Sequence, residues 1–157
     1  MKMPRRRRLE SKTDYASRLS LLKSEKPRLI IRKTNRYIIV QIVSSEAAQD
    51  KVLVGINSKI LLSKGLPKES SGSLKSLGAA YLTGFLLGKK ALESGIKEAI
   101  LDMGMYINVK NSRIYSALTG VLDSGLHVPH KKDVLPKMEN IKSGKIAKVF
   151  DKIVGSK

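Results

Sequence analysis

Residues 74–95, LKSLGAAYLTGFLLGKKALESG, constrain the fold more than any other stretch of the chain. Leu74, Gly78, Tyr81, Phe85, Gly88 and Leu92 recur at three- and four-residue steps and share one helical stripe. Between Leu77 and Gly88 the opposite stripe is apolar too, with Ala79, Leu82 and Leu86. A helix apolar all round must be covered on more than one side. The run 77–88 is too short to cross a bilayer, which needs about 20 apolar residues. The stretch therefore predicts a buried central helix, and Gly84 and Gly88 thin its surface so that another element can approach closely.

The rest of the chain supplies what that helix packs on. Residues 11–24 predict a helix with Tyr15, Leu19 and Leu22 on one stripe, Thr13 or Ser11 as cap, and Pro27 as its stop. Residues 28–44 read as a β-hairpin: a strand at 29–31, a turn over 33–36 where Asn35 tolerates positive φ, and a strand over 37–43. Ile38, Val40 and Ile42 share one face of that second strand. Residues 52–57 form a third strand, with Val52, Val54 and Ile56 on one face. After a short helix at most and a loop over 58–73 comes the central helix. Residues 98–103 then predict a strand, entered from a helix and so parallel to its partner. Residues 112–124 predict a helix closed by Gly125, with Ile114, Ala117, Leu118, Val121 and Leu122 inward. Residues 127–136 are irregular. Residues 141–154 predict a basic helix, with Ile146, Val149, Phe150 and Ile153 apolar. The expected fold class is α/β: a mixed sheet, made of an antiparallel three-stranded meander plus one parallel strand, packed with helices. Residues 1–27 form a basic N-terminal arm and helix, 28–126 the α/β domain, and 127–157 a basic C-terminal extension.

Charge says what such a chain meets. Its net charge is +18. Residues 1–36 carry 13 basic and 3 acidic side chains, residues 37–126 carry 10 and 7, and residues 127–157 carry 8 and 3. The middle is balanced and the ends are basic, so a polyanion is the expected partner, and nucleic acid is the obvious one. The arm lacks the bulky apolar face of membrane-lying helices, which argues against a membrane. No cysteine is present, which excludes disulfides and fits a reducing compartment.

Two groups of residues fit RNA. Arg5, Arg6, Arg7 and Arg8 can pair with phosphates and stack on exposed bases, from a tail expected to be disordered alone. Arg28, Arg32, Lys33 and Arg36 bracket the hairpin turn, with Asn35 and Tyr37 among them. That mixture of cations, an amide and a ring suits irregular RNA. Catalysis and metal binding find little support. His127 and His130, near Asp123 and Asp133, lack ligand spacing. Asp102 has no companion carboxylates on the other strands, as a metal-dependent nuclease would require. No phosphate-binding glycine loop follows a strand. No metal, cofactor, small-molecule substrate or enzymatic activity is expected.

Specific runs carry a resemblance. Lys12-Thr13-Asp14-Tyr15 with Arg18 and Leu19, then Arg28-Leu29-Ile30-Ile31-Arg32-Lys33-Thr34-Asn35 and Gln41-Ile42, are followed by Ala79-Ala80-Tyr81-Leu82-Thr83-Gly84 and Ala99-Ile100-Leu101-Asp102-Met103-Gly104. Residues 118–126, Val128-Pro129-His130 and Leu135-Pro136 continue the pattern. Together they resemble the universal large-subunit ribosomal protein family that binds 5S rRNA, called L-eighteen in bacteria and L-five in eukaryotes. The arm and the proline-marked extension resemble the archaeal type. The resemblance implies a structural constituent of the cytoplasmic large ribosomal subunit. Such a protein would help attach 5S rRNA to the large-subunit rRNA at the central protuberance, beside a second 5S-binding ribosomal protein. It implies RNA contact by Arg5, Arg6, Arg7, Arg8, Lys12, Tyr15, Arg18, Arg28, Arg32, Lys33, Asn35, Arg36 and Tyr37, with 28–126 as the RNA-binding domain. The alternative is a general structured-RNA-binding or ribosome-assembly factor.

Overall fold

The computed structural model describes residues 3, 5–46, 49–67, 72, 74–142 and 146–155. Its elements are α1 (Arg6–Leu9), α2 (Tyr15–Leu22), β1 (Arg28–Lys33), β2 (Ile38–Glu46), β3 (Gln49–Asn57), α3 (Ile60–Ser63) and α4 (Leu77–Glu93). They are followed by β4 (Ile100–Asp102), α5 (Arg113–Asp123), a 3-10 turn at Lys132–Val134, α6 (Met138–Ile141) and α7 (Ala147–Val154). The four strands form one mixed sheet in the order β3-β2-β1-β4. β1 runs antiparallel to β2 and β2 to β3, and β4 joins β1 in parallel, with Arg28 opposite Ile100 and Ile30 opposite Asp102. This is the expected fold class.

α4 is the predicted central helix, begun by the Ser76 hydroxyl accepting from Ala79 N at 3.3 Å. Its two flanks serve two separate clusters. Ala80, Leu87 and Ala91 pack with α5 (Ala117, Leu118, Val121) over the inner sheet face, made of Leu29, Ile31, Ile38, Val40, Ile42, Val54 and Ile56. Ala79, Tyr81, Leu82 and Phe85 pack with Leu61, Ile141, Ile146, Val149, Phe150 and Ile153. The C-terminal helix is thus seated on α4, where the rings of Tyr81 and Phe150 stack at 5.0 Å. Burial and the hydrogen-bonded Asp123 carboxylate push the Tyr81 hydroxyl well above its ordinary pKa.

Several details depart from the expectations. α2 is capped by Asp14, whose Oδ1 accepts from Ala16 N at 3.0 Å and Ser17 N at 3.3 Å. Ser11 has φ +50 and lies outside the helix, so neither it nor Thr13 is the cap. α2 ends at Leu22, five residues before Pro27, whose carbonyl accepts from Ile100 N at 2.9 Å and so ties the arm to β4. In the hairpin turn the positive-φ residues do not include Asn35. Thr34 holds the turn instead: its N donates to Tyr37 O at 2.8 Å, and its Oγ1 accepts from Tyr37 N at 2.9 Å. Val52 is 51% exposed while Val54 and Ile56 are buried. A register shift pairs Ile42 with Val54 but Val43 with Val52, so Leu53 is an extra residue that turns Val52 out of the core. The predicted helix over 141–154 is two pieces, α6 and α7, with 143–145 outside the described residues. The loop expectation at 68–71 and 73 also lies outside them.

The glycines of α4 do what their placement suggests. A Cβ at Gly84 would strike the Ala117 carbonyl, one at Gly88 the Ser124 hydroxyl, and one at Gly120 of α5 the Tyr81 carbonyl. A Gly84→Ala variant is expected to lose about 3 kcal/mol, because the methyl meets backbone that cannot swing aside. Gly72→Ala, where nothing lies within 4 Å, should stay within about 0.5 kcal/mol of the unmodified protein. Urea unfolding of both variants measures the difference.

Candidate nucleic-acid interface

Alternation along β1 decides which side chains leave the core. Leu29 and Ile31 point to α4 and α5, so Arg28, Ile30 and Arg32 belong to the outer face. The arm lies across that face: Arg7, Lys12, Thr13, Ser17 and Arg18 share one cavity with Arg28, Ile30 and Arg32.

Arg28 anchors the arrangement and is 1% exposed. Its Nη1 donates to Asp102 Oδ2 of β4 at 2.6 Å. Its Nη2 donates to Ser45 Oγ at 2.9 Å and to Asp50 Oδ1 at 2.8 Å, on the two strands of the β2–β3 ribbon. Asp50 also accepts from Arg18 Nη2 of the arm, at 2.8 and 2.9 Å to its two oxygens. One carboxylate therefore joins arm, ribbon and strand. Burial pushes the Asp50 carboxyl upward, but hydrogen bonds from Ser45, Arg18 and Arg28 and the Arg28 charge outweigh it and hold the pKa at about 2. Asp102 is further tied by Gly104 N at 2.9 Å, so its carboxylate serves the fold.

The other expected contact residues are surface groups. Arg5 sits over the Tyr15 ring at 4.7 Å. Arg6 pairs with Glu10 at 2.8 Å and so does Lys12 at 2.7 Å, while Arg7 Nε donates to Thr13 Oγ1 at 2.9 Å. Residues 6–9 form one helical turn, closed by Leu9 N to Arg5 O and Glu10 N to Arg6 O, where the sequence predicted no structure. Arg8 and Arg32 are exposed, without a side-chain partner among the described residues. At the hairpin tip Asn35 and Arg36 are exposed, Lys33 Nζ lies 5.4 Å from the Tyr106 ring, and Lys59 Nζ lies 4.6 Å from the Tyr37 ring.

Nine of the thirteen expected residues fall into two places, while Arg5, Arg8 and Tyr15 line a second cavity along the arm and Arg6 lines neither cavity. Arg7, Lys12, Arg18, Arg28 and Arg32 meet at the arm–sheet cavity. Lys33, Asn35, Arg36 and Tyr37 form the hairpin tip and do not line that cavity. Arg28 departs most from its expected role, since its charge is enclosed and spent on two carboxylates. Three participants escaped the sequence reading: Asp50, Tyr106 and Lys59. Asp50 carried no distinguishing signal, since Glu46 is a second acid in the same ribbon. Tyr106 and Lys59 adjoin the hairpin only through the fold.

A mixed α/β sheet whose outer face and hairpin tip carry arginine and lysine, under a folded-back basic arm, defines a class: a basic protein built to meet a polyanion. The chain belongs to the family described as ribosomal large subunit proteins 60S L5 and 50S L18, whose model matches residues 1–97. It is 47% identical over 148 residues to the large ribosomal subunit protein uL18 of Korarchaeum cryptofilum, covering 94% of this chain and 74% of that protein. The uL18 of Methanoculleus marisnigri is 47% identical over 145 residues, covering 92% and 81%. That of Aeropyrum pernix is 42% identical over 146 residues, covering 93% and 67%. The resemblance read from the motifs, including its archaeal type, is thus the family relationship.

Asp50→Asn is expected to destabilise the protein by about 2–4 kcal/mol, since it leaves the Arg28 charge with one carboxylate fewer in a buried setting. The pH dependence has a definite sign. The folded pKa of about 2 lies below the ordinary 3.8, so the Asp50 contribution is complete above about pH 4 and fades as pH falls toward 2. Unfolding curves recorded between pH 2 and 6 should show a shallower acid limb in the variant.

Proposed function

We propose that this ribosomal protein binds 5S rRNA and helps attach it to the large-subunit rRNA at the central protuberance of the cytoplasmic ribosome, next to a second 5S-binding protein. The observation that carries the reading is the division of charge by the fold. The acidic side chains of the outer face, Asp50 and Asp102, are engaged by Arg28 and Arg18. Arg8, Arg32 and Arg36 remain exposed on the arm and hairpin. Family membership makes a large-subunit rRNA the natural polyanion.

The mechanism is structural. A rigid body sets the spacing between arm and hairpin tip, and their cations replace counterions along the phosphates. Specificity comes from RNA shape and unpaired bases met by Tyr37 and Asn35. The relatives are ribosomal proteins, and this role needs no bond-breaking step.

In a competition assay at moderate salt, 5S rRNA from the same source should displace an equal-length structured RNA by at least about a hundredfold. Equal competition would instead favour a general RNA-binding or assembly factor. Lys33→Glu/Arg36→Glu should weaken binding and reduce the slope of log affinity against log salt by about two, without changing the unfolding midpoint. An unchanged slope in a folded double variant would remove the hairpin tip from the interface.

A further inference from the structure

The cavity between arm and outer sheet face encloses about 530 Å³, within the size range of sites that take one small molecule. Its wall is not uniformly basic. Five cationic side chains face three carboxylates, an excess of two positive charges. Two of the cations make no ion pair among the described residues: Arg7 uses its Nε on the Thr13 hydroxyl, and Arg32 has no side-chain partner. Beside them lie Ile30, Met105 and the Tyr106 ring. That ring is held in place by its hydroxyl, which donates to Lys33 O at 2.9 Å. Asp14 uses Oδ1 to cap α2, which leaves Oδ2 to accept from a ligand N–H.

A phosphate alone would use the cations and leave the apolar wall idle. An apolar ligand would leave the two guanidiniums unmatched. One unpaired nucleotide within an RNA strand uses both. It carries a phosphodiester on each side, two negative charges in all, and a flat base with N–H donors at its edge. Sequence-specific RNA recognition takes such splayed-out bases onto rings and guanidinium planes.

We propose that this cavity seats a single unpaired nucleotide of the bound RNA, its flanking phosphates on Arg7 and Arg32 and its base against Tyr106 and Met105. This rests on the RNA-binding reading above and adds one site to it. The site assigns the folded arm a second task. Besides contributing charge, it forms one wall of the pocket, with the sheet as the other.

Two variants address the cavity without touching the ion pairs. Ser17→Trp places an indole in it from an exposed position of α2, and Met105→Glu puts a carboxylate on its apolar wall, where Met105 is 52% exposed. Base reactivity of 5S rRNA is probed chemically, free and bound to each form of the protein, after circular dichroism shows that each is folded. The unmodified protein should shield an unpaired base that regains its free-RNA reactivity with either variant, while the phosphate footprint persists. Affinity should fall about tenfold. Removing that one base from the RNA should cost the unmodified protein the same factor and the Ser17→Trp variant nothing more. Selective 5S binding with the same base reactivities in all three forms overturns the cavity site alone. Failure of the unmodified protein to prefer 5S rRNA overturns the wider reading and the site with it.

Discussion

The close approach of α4 and α5 is the contact on which the rest of the molecule depends. Gly84, Gly88 and Gly120 remove the side chains that would hold the two helices apart, and the backbone of each helix fills the gap in the other. Brought this near, the pair presents Ala80, Leu87, Ala117, Leu118 and Val121 to the sheet as one surface. The other flank of α4 is then free to receive α7, with Tyr81 stacked on Phe150. One helix so serves two clusters, which is why it can be apolar around nearly its whole circumference in a chain of 157 residues.

The outer face is ordered by charge rather than by apolar packing. A buried guanidinium is costly unless its donors are matched. Arg28 has two carboxylates and a hydroxyl on its Nη atoms, and its Nε is buried without a partner among the described residues. Its value lies in what it joins. Asp102 comes from β4, Ser45 and Asp50 from the β2–β3 ribbon, and Arg18 reaches Asp50 from the arm. The network sets where the arm lies on the sheet, and so the spacing of the exposed arginines and lysines.

Much of this was legible before any coordinates. The central helix, the hairpin, the parallel strand after α4 and the basic ends all follow from periodicity, turn residues and charge. The misreadings share a cause. Val52 fits the alternation of its strand, and only the pairing with β2, with Leu53 as an extra residue, turns it outward. Asp14 competes with Ser11 and Thr13 as cap, and the choice depends on the path of the arm. Arg28 looks like Arg32 in the sequence, four residues away on the same face. One is enclosed and the other open because Asp102 and Asp50 arrive over the first from 74 and 22 residues along the chain.

The sequence by itself determined the fold class, the family and the excess of positive charge at the two ends. Those properties sit in local patterns: 3.6- and 2-residue periods, runs of motif residues, and the count of lysine and arginine. Tertiary structure alone decided which cations serve the fold and which face outward, that the arm folds back over the sheet, and that α7 closes on α4. Each of these depends on side chains meeting across long sequence separations, where a few ångströms of strand register or helix approach decide whether a charge is neutralised or left open to a ligand.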